Sequence, residues 1–585
     1  PKVGHPGSWD PPRAEAPTAL GPLRPQPGWA GQPQRSSNMF RCLVLAALSL
    51  LGACRAGDAE LSKMVAELQQ LARIQQEKIS AYEAQVEKRK VKTMPRNLRD
   101  NNIEFRTIYK DNVVRYRRQY NDAEELQQLT NNVWFLFCGV LVLFMQAGLT
   151  LIEAGMGRVK NAQVIFIKNL TISAASCLGW WAFGWSFAFS GPYERGFKEN
   201  EFAGKEQFLG HHLTVQRKDG QMEPDIRLCE WFLTWAICGV ATLIAGAGVT
   251  ERMDFLGALI FSFLYSSFII PIVVAWGYGQ GWLAKMNDTG YLDFGGSGIV
   301  FMSGGVAALV GAIIAGKRTG RFDGLAKAKD RLANWPKSFQ PHSMPMVVIG
   351  TFLLWFGWYG IVCKMPMRSN EMGMLAAQVA MNATIAAAAS GVLAFLLRLA
   401  MRRKYDIGML CNGILAGLVA ISAGCASVEC GSALAIGLVG GLLYFFTSLA
   451  IRAAKIDDSV DAFAVYGVPG MWGLLAAPLF DWGNGFSHFH GFWGFRCIKA
   501  LDNRCKGHDD GLVKDAIAAN FALMGAVAGW VAVLSAIILV ILKVAKLLRE
   551  VRYGDGDERG AAEEGSTGDR ANDYKYEDVY INSSI

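Results

Sequence analysis

The sequence predicts an all-α polytopic membrane protein, on three observations. About eleven apolar stretches run from Asn131 to Ala545, each near the roughly 20 residues with which a helix crosses a bilayer. Charged residues are only 18% of the chain and crowd into its ends and loops, whereas soluble domains average about 25%. Glycine is frequent, at 64 residues, and small residues let membrane helices approach closely. The net charge of +8 sits in loops expected to face the cytosol, so it does not indicate nucleic acid.

Residues 1–38 are rich in Pro, Gly and Arg, lack an apolar pattern, and are expected to be an upstream leader. Translation is then expected to begin at Met39. A basic Met-Phe-Arg start, a short apolar run and small residues near Ala53 to Gly57 read as a secretory signal peptide over 39–57. The Leu-Gly-Ala-Cys ending at Cys54 also resembles a lipoprotein box. Residues 58–130 are expected to be an extracytosolic helical segment and linker. Leu61, Val65, Leu68, Ala72, Gln75, Ile79, Tyr82 and Val86 share one seam, which fits either a coiled coil or a lone amphipathic helix.

The spans are expected over 132–153, 165–190, 229–250, 255–276, 297–315, 344–363, 374–400, 409–425, 431–451, 462–480 and 515–545, within a membrane domain of 131–546. Arg158, Lys317, Arg318, Arg402, Arg403, Lys543 and Lys546 follow odd-numbered spans, so that side is expected to be cytosolic. The N-terminus is then outside and the C-terminus inside. Asn287-Asp-Thr falls in an outside loop as a glycosylation acceptor. The tail 547–585 is charged and expected to be disordered. A signal peptide implies the secretory pathway and the plasma membrane.

The seven histidines (His5, His211, His212, His342, His488, His490 and His508) all fall in tails or loops. No imidazole is therefore expected inside the membrane. Cys497 and Cys505 share an outside loop, where a disulfide is expected, and Cys425 with Cys430 is a weaker second pair. No cysteine cluster has zinc or haem spacing. Gly311-Ala-Ile-Ile-Ala-Gly316-Lys317 has phosphate-loop spacing, but Arg318 replaces the Ser/Thr and the run ends an apolar helix, which excludes nucleotide binding. Catalytic and metal-ligand sets are lacking, so neither an enzyme nor a cofactor is expected.

The run Leu292-Asp-Phe-Gly-Gly-Ser-Gly-Ile-Val-Phe-Met-Ser-Gly-Gly-Val-Ala-Ala-Leu-Val-Gly-Ala-Ile-Ile-Ala-Gly-Lys-Arg318 resembles the signature of the ammonium transporter (Amt/Mep/Rh) family. Glu153 to Asn161, Thr250-Glu-Arg, His342-Ser-Met-Pro-Met-Val, Phe356-Gly-Trp-Tyr-Gly360 and Asp461-Ala-Phe-Ala-Val-Tyr-Gly467 match in order over roughly 131–550. The resemblance implies eleven spans, two inverted five-helix repeats with a pore between them, and a homotrimer. It implies ammonium or ammonia as substrate, an outer aromatic vestibule, a Phe gate and a buried histidine pair.

At the histidine positions this chain aligns Phe301 and Tyr466; at the gate it aligns Ile237 and Ile361. The vestibule tryptophan aligns with Tyr278, or with Trp276 after a one-residue gap. The vestibule serine aligns with Met365, preceded by Lys364, and Asp293 is retained. A phenol titrates near 10, so this pair cannot relay protons at neutral pH. The rings form either a neutral constriction for ammonia or an ordinary packed plug. Ile237 and Ile361 are an apolar gate or filled core. Tyr278 and Trp276 receive a cation or anchor at the interface. Lys364 repels ammonium, turns away, or pairs, and Asp293 caps the fifth span or, as the resemblance implies, orders a cation site. The expected function is ammonium/ammonia transport without the twin-histidine relay. The alternatives are a non-conducting sensor, scaffold or assembly subunit, or a pore for another small neutral molecule.

Overall fold

The computed structural model describes residues 102–190, 202–211, 214–216, 222–224, 227–287, 290–322, 339–367, 370–403, 405–480 and 510–548. The chain divides into units Pro1–Arg117 and Arg118–Ile585. The leader, the signal peptide, the seam over 61–86, the Cys497–Cys505 pair and the tail beyond Leu548 lie outside the described residues.

Eleven long or apolar helices run through the described residues. They are α1 (Asn102–Met156), α2 (Ala162–Phe189), α3 (Leu228–Ala247), α4 (Phe255–Trp276), α5 (Ser297–Ala315), α6 (Met344–Val362), α7 (Asn370–Arg402), α8 (Ile407–Ser422), α9 (Cys430–Ala453), α10 (Phe463–Phe480) and α11 (Asp510–Val544). Ten contain a segment long and apolar enough to cross a membrane; α8 is apolar but shorter. The chain is thus an integral membrane protein of the class its composition predicts. The expected junction at residue 130 falls inside α1. Among the described residues the only strands are a short antiparallel pair, β1 (Thr214–Gln216) with β2 (Met222–Pro224).

Four helices contain a π-turn: Trp180–Gly184 in α2, Tyr265–Ile269 in α4, Ser297–Met302 in α5 and Phe463–Gly467 in α10. Such turns widen the backbone by one residue and often mark functional positions. Those of α5 and α10 face one another in the core, where α5, α6, α8 and α10 converge. Gly305 permits this approach: a Cβ there would meet the Gly467 amide nitrogen at 2.4 Å.

At one end of the bundle, buried charges tie loops together. Arg318 holds Asp457 through Nε and Nη2, both at 2.8 Å, and Glu251 through Nη1 at 2.7 Å. Arg158 binds the same Glu251 at 2.9 Å, and the guanidiniums of Arg158, Arg318 and Arg321 all lie over the Phe339 ring at 5.1–5.3 Å. Burial alone would raise both acids. The guanidinium charges, Arg318 foremost, outweigh it and hold Glu251 and Asp457 below their ordinary values. Beside this network, Leu548 bridges to Met253, and the Leu547 carbonyl accepts from the Asp254 amide at 3.0 Å.

The cysteine expectation needs one correction. Cys425 and Cys430 are free thiols, Cys425 buried and Cys430 exposed. Cys425 turns its Sγ to the Ser422 carbonyl at 3.3 Å, back into the end of α8 and away from a disulfide.

Candidate functional site

The centre of the bundle holds a column of three rings. Phe301 on α5 lies against Trp358 on α6, with centroids 4.3 Å apart and planes 12° from parallel. On its other side stands Tyr466 of α10, at 6.3 Å and 21°. Phe301 and Trp358 are fully buried and Tyr466 nearly so. Trp358 is anchored by Nε1, which donates to Ser422 Oγ at 3.0 Å. Its place follows from helical spacing: it lies one turn before Ile361 on the same face of α6. The motif Phe356–Gly360 contains it, yet alignment to gate positions alone selects Ile361 and passes over Trp358.

Each π-turn ring is positioned by an aspartate eight residues before it. Asp293 Oδ2 accepts from the Gly298 and Ile299 amides at 3.0 and 2.9 Å, which caps α5 ahead of Phe301. Asp458 Oδ2 accepts from the Phe463 amide at 2.9 Å, which caps α10 ahead of Tyr466. Burial pushes each carboxyl up to about 6 against these amide bonds. Asp458 was not singled out from sequence; the shared spacing was the available signal. Gly296, with φ of 87°, makes the turn that delivers α5 from Asp293, and Gly295 N is held by the Ser422 carbonyl at 2.8 Å.

At the Asp293 end, Tyr278 Oη donates to the Asp293 carbonyl at 2.9 Å. The Lys364 ammonium lies over the Tyr278 ring at 5.2 Å and donates to the Phe294 and Ile361 carbonyls at 3.1 and 3.2 Å. Lys364 therefore points inward and is not extended toward the interface. Burial lowers its ammonium pKa, opposed by nearby acidic groups including Asp293. Trp276, two residues before Tyr278, has a different set of neighbours. It packs on Trp530, Phe202 and Trp282, with centroids at 5.4–5.9 Å, as part of the contact with α11. Met365 and Ile361 are buried at this end. Ile237 is buried on α3, which packs on the π-turn carrying Phe301. Asn287 has a left-handed φ of 55°, which asparagine tolerates.

At the opposite end, Glu153 is not solvated. It pairs with Lys168, accepts from Asn169 Nδ2 at 2.7 Å and from Thr250 Oγ1, and is buried. A cavity of about 20 Å³, room for about one water, is walled by Glu153, Asn412, Val460 and Tyr466. Asn412 and Val460 also wall a larger cavity of about 360 Å³ that includes Arg321, Asp406, Arg452 and Asp458. A small, largely apolar cavity thus abuts Tyr466 from this end, while the rings fill the centre. The two described histidines, His211 and His342, lie in loops. Among the described residues no cluster suits a metal ion.

Comparison with known proteins agrees with this architecture. The Ammonium Transporter Family profile matches residues 133–560. Ammonium transporter Amt2 of Archaeoglobus fulgidus is 32% identical over 402 residues, covering 65% of this chain and 81% of that protein. Ammonium transporter 1 member 1 of Arabidopsis thaliana is 30% identical over 413 residues, 68% of this chain and 76% of that protein. A solved structure titled Sensor Amt Protein superposes with a TM-score of 0.62 at 27% identity, covering 76% of this chain and all of the other. Saccharomyces cerevisiae Mep2 shares the fold, with a TM-score of 0.59 at 24% identity over 74% of this chain and 92% of that one. With an apolar helical bundle, a capped ring column and a profile match across that whole region, the chain belongs to the ammonium transporter family.

Proposed function

We propose that this protein moves ammonia, the neutral form of the family substrate, across a membrane without a histidine proton relay. The observation that supports the reading is the contact of Phe301 with Trp358 and Tyr466 inside the bundle; on this reading these rings stand in the path. A phenol with an ordinary pKa near 10 does not exchange protons at neutral pH. Ile237, Phe301, Ile361 and Tyr466 line the path; Trp276, Tyr278, Lys364 and Met365 form its outer end, supported by Asp293. The end bearing Arg318 and Asp457 is cytosolic, in keeping with its basic residues, so the N-terminus is outside. The family resemblance supports a homotrimer with inverted repeats, and the equal spacing of Asp293 to Phe301 and Asp458 to Tyr466 fits such repeats. The signal peptide, plasma-membrane location, Asn287 glycosylation and the Cys497–Cys505 disulfide complete the reading.

The test is the full chain in liposomes under an ammonium gradient, with interior pH and membrane current recorded together. Interior alkalinisation faster than in protein-free vesicles, without current, is expected. Current above background would overturn the neutral-substrate reading. A second reading, a non-conducting sensor or scaffold, is favoured by the close contact of Phe301 with Trp358 and by the likeness to a protein titled as a sensor. Alkalinisation no faster than in empty vesicles would select it.

A further inference from the structure

A lysine that follows a membrane helix normally carries its charge to the interface. Lys364 follows α6 by two residues and does the opposite. Its ammonium enters a cage of four parts: the Phe294 carbonyl at 3.1 Å, the Ile361 carbonyl at 3.2 Å, the Tyr278 ring face at 5.2 Å and the Phe294 ring face at 5.8 Å. Carbonyl oxygens and ring faces are what a small organic cation needs once stripped of water. The cage is rigid for reasons unrelated to the lysine. Tyr278 is fixed by its bond to the Asp293 carbonyl, and the Phe294 amide by the Ala423 carbonyl at 3.1 Å.

A second observation lies beside it. Asp293 is 2% exposed, and only its Oδ2 is used by the α5 amides. Its Oδ1 is buried without a hydrogen-bond partner among the described residues. A buried carboxylate with an unused oxygen leaves negative charge that calls for a nearby cation. The Lys364 ammonium is the positive group that acts on it electrostatically.

We propose that Lys364 is a tethered occupant of a cation site: its ammonium fills a cage that would otherwise take ammonium or a small alkylammonium ion, so the free cation is not captured at this end of the path. This deepens the reading of a path for neutral ammonia, and adds that the charged form is turned away before it reaches the rings. A lysine that merely capped the last carbonyls of α6 would need only Ile361; the two ring faces and Asp293 would then serve no cation.

Binding, not flux, tests it, so the liposome result stands or falls separately. The purified full chain in detergent is titrated calorimetrically with methylammonium chloride at ionic strength held constant with sodium chloride. Lys364→Ala and Lys364→Met are expected to bind methylammonium saturably, with ammonium competing. Wild type and Lys364→Arg are expected not to bind. Adding Asp293→Asn to Lys364→Ala is expected to weaken binding at least about tenfold, the loss of one buried charge interaction. Folded Lys364→Ala and Lys364→Met without saturable heat would overturn the proposal and leave Lys364 a helix cap only. The wild-type arm decides independently should both variants fail to fold: saturable methylammonium binding overturns the proposal, and its absence supports it.

Discussion

The Phe301 ring lies flat on the Trp358 indole, 4.3 Å between centroids, with neither side chain exposed. Near-parallel stacking is one of the arrangements that aromatic pairs favour, and here it fills the core between α5, α6 and α8. Trp358→Ala would leave a cavity in a close-packed core. A loss of about 3–5 kcal/mol is expected, read as a lower Tm in detergent. If the indole also closes the path, ammonia-driven alkalinisation of vesicles rises above wild type. A variant with unchanged Tm would show that the indole is not tightly packed.

Replacing both central rings by imidazoles restores titratable groups where none stands. Phe301→His with Tyr466→His is expected to produce ammonium-dependent current on a supported membrane, strongest near pH 6 to 7, because imidazole titrates near 6.5. Wild type should give none. Equal currents in the two proteins would mean that charge passes by a route independent of the rings.

The Arg318 network gives a pH prediction with a defined sign. Glu251 and Asp457 titrate below their ordinary values, so their contribution to stability is complete above about pH 4 and lost as pH falls through the lower folded values. Arg318→Ala leaves two buried carboxylates under-paired and is expected to cost about 3–5 kcal/mol at pH 7. The Tm gap between wild type and variant should narrow as pH drops from 5 toward 3. A gap that holds constant over that range would refute the assignment.

Gly305→Ala should be disproportionately harmful for one methyl group. The added Cβ meets backbone of α10 at 2.4 Å, and backbone cannot turn aside as a side chain can. About 1–3 kcal/mol of destabilisation is expected from thermal melts. Gly373 is the control: nothing lies within 4 Å of a Cβ there, and alanine in that helix is expected to be neutral or slightly stabilising. Similar melts for the two variants would contradict the close α5–α10 contact.

Helix limits were largely legible because apolar runs end where charge or Gly/Pro begins. The expected 255–276 and 297–315 coincide with the observed Phe255–Trp276 and Ser297–Ala315. Positions along α5 and α10 were legible because the motifs are contiguous, which is why Phe301 and Tyr466 were found. Trp358 was not, since stacking depends on how α6 is rotated against α5. The inward turn of Lys364 was hidden for a similar reason: its carbonyl partners sit on two distant segments and carry no side-chain signature. The sequence aligned the vestibule position with Tyr278 ahead of Trp276; their different neighbours, Asp293 for Tyr278 and Trp530 for Trp276, depend on tertiary packing that sequence does not carry.

The bridge between Leu548 and Met253 joins the far end of α11 to the turn that launches α4. This isolated bridge and the Asp254–Leu547 hydrogen bond give residues 547–548 a second anchor, so a pull on the chain past residue 548 would be shared between α11 and that turn. The α3–α4 corner then carries part of any such load, and it stands next to the Glu251 carboxylate that locks Arg318 in place.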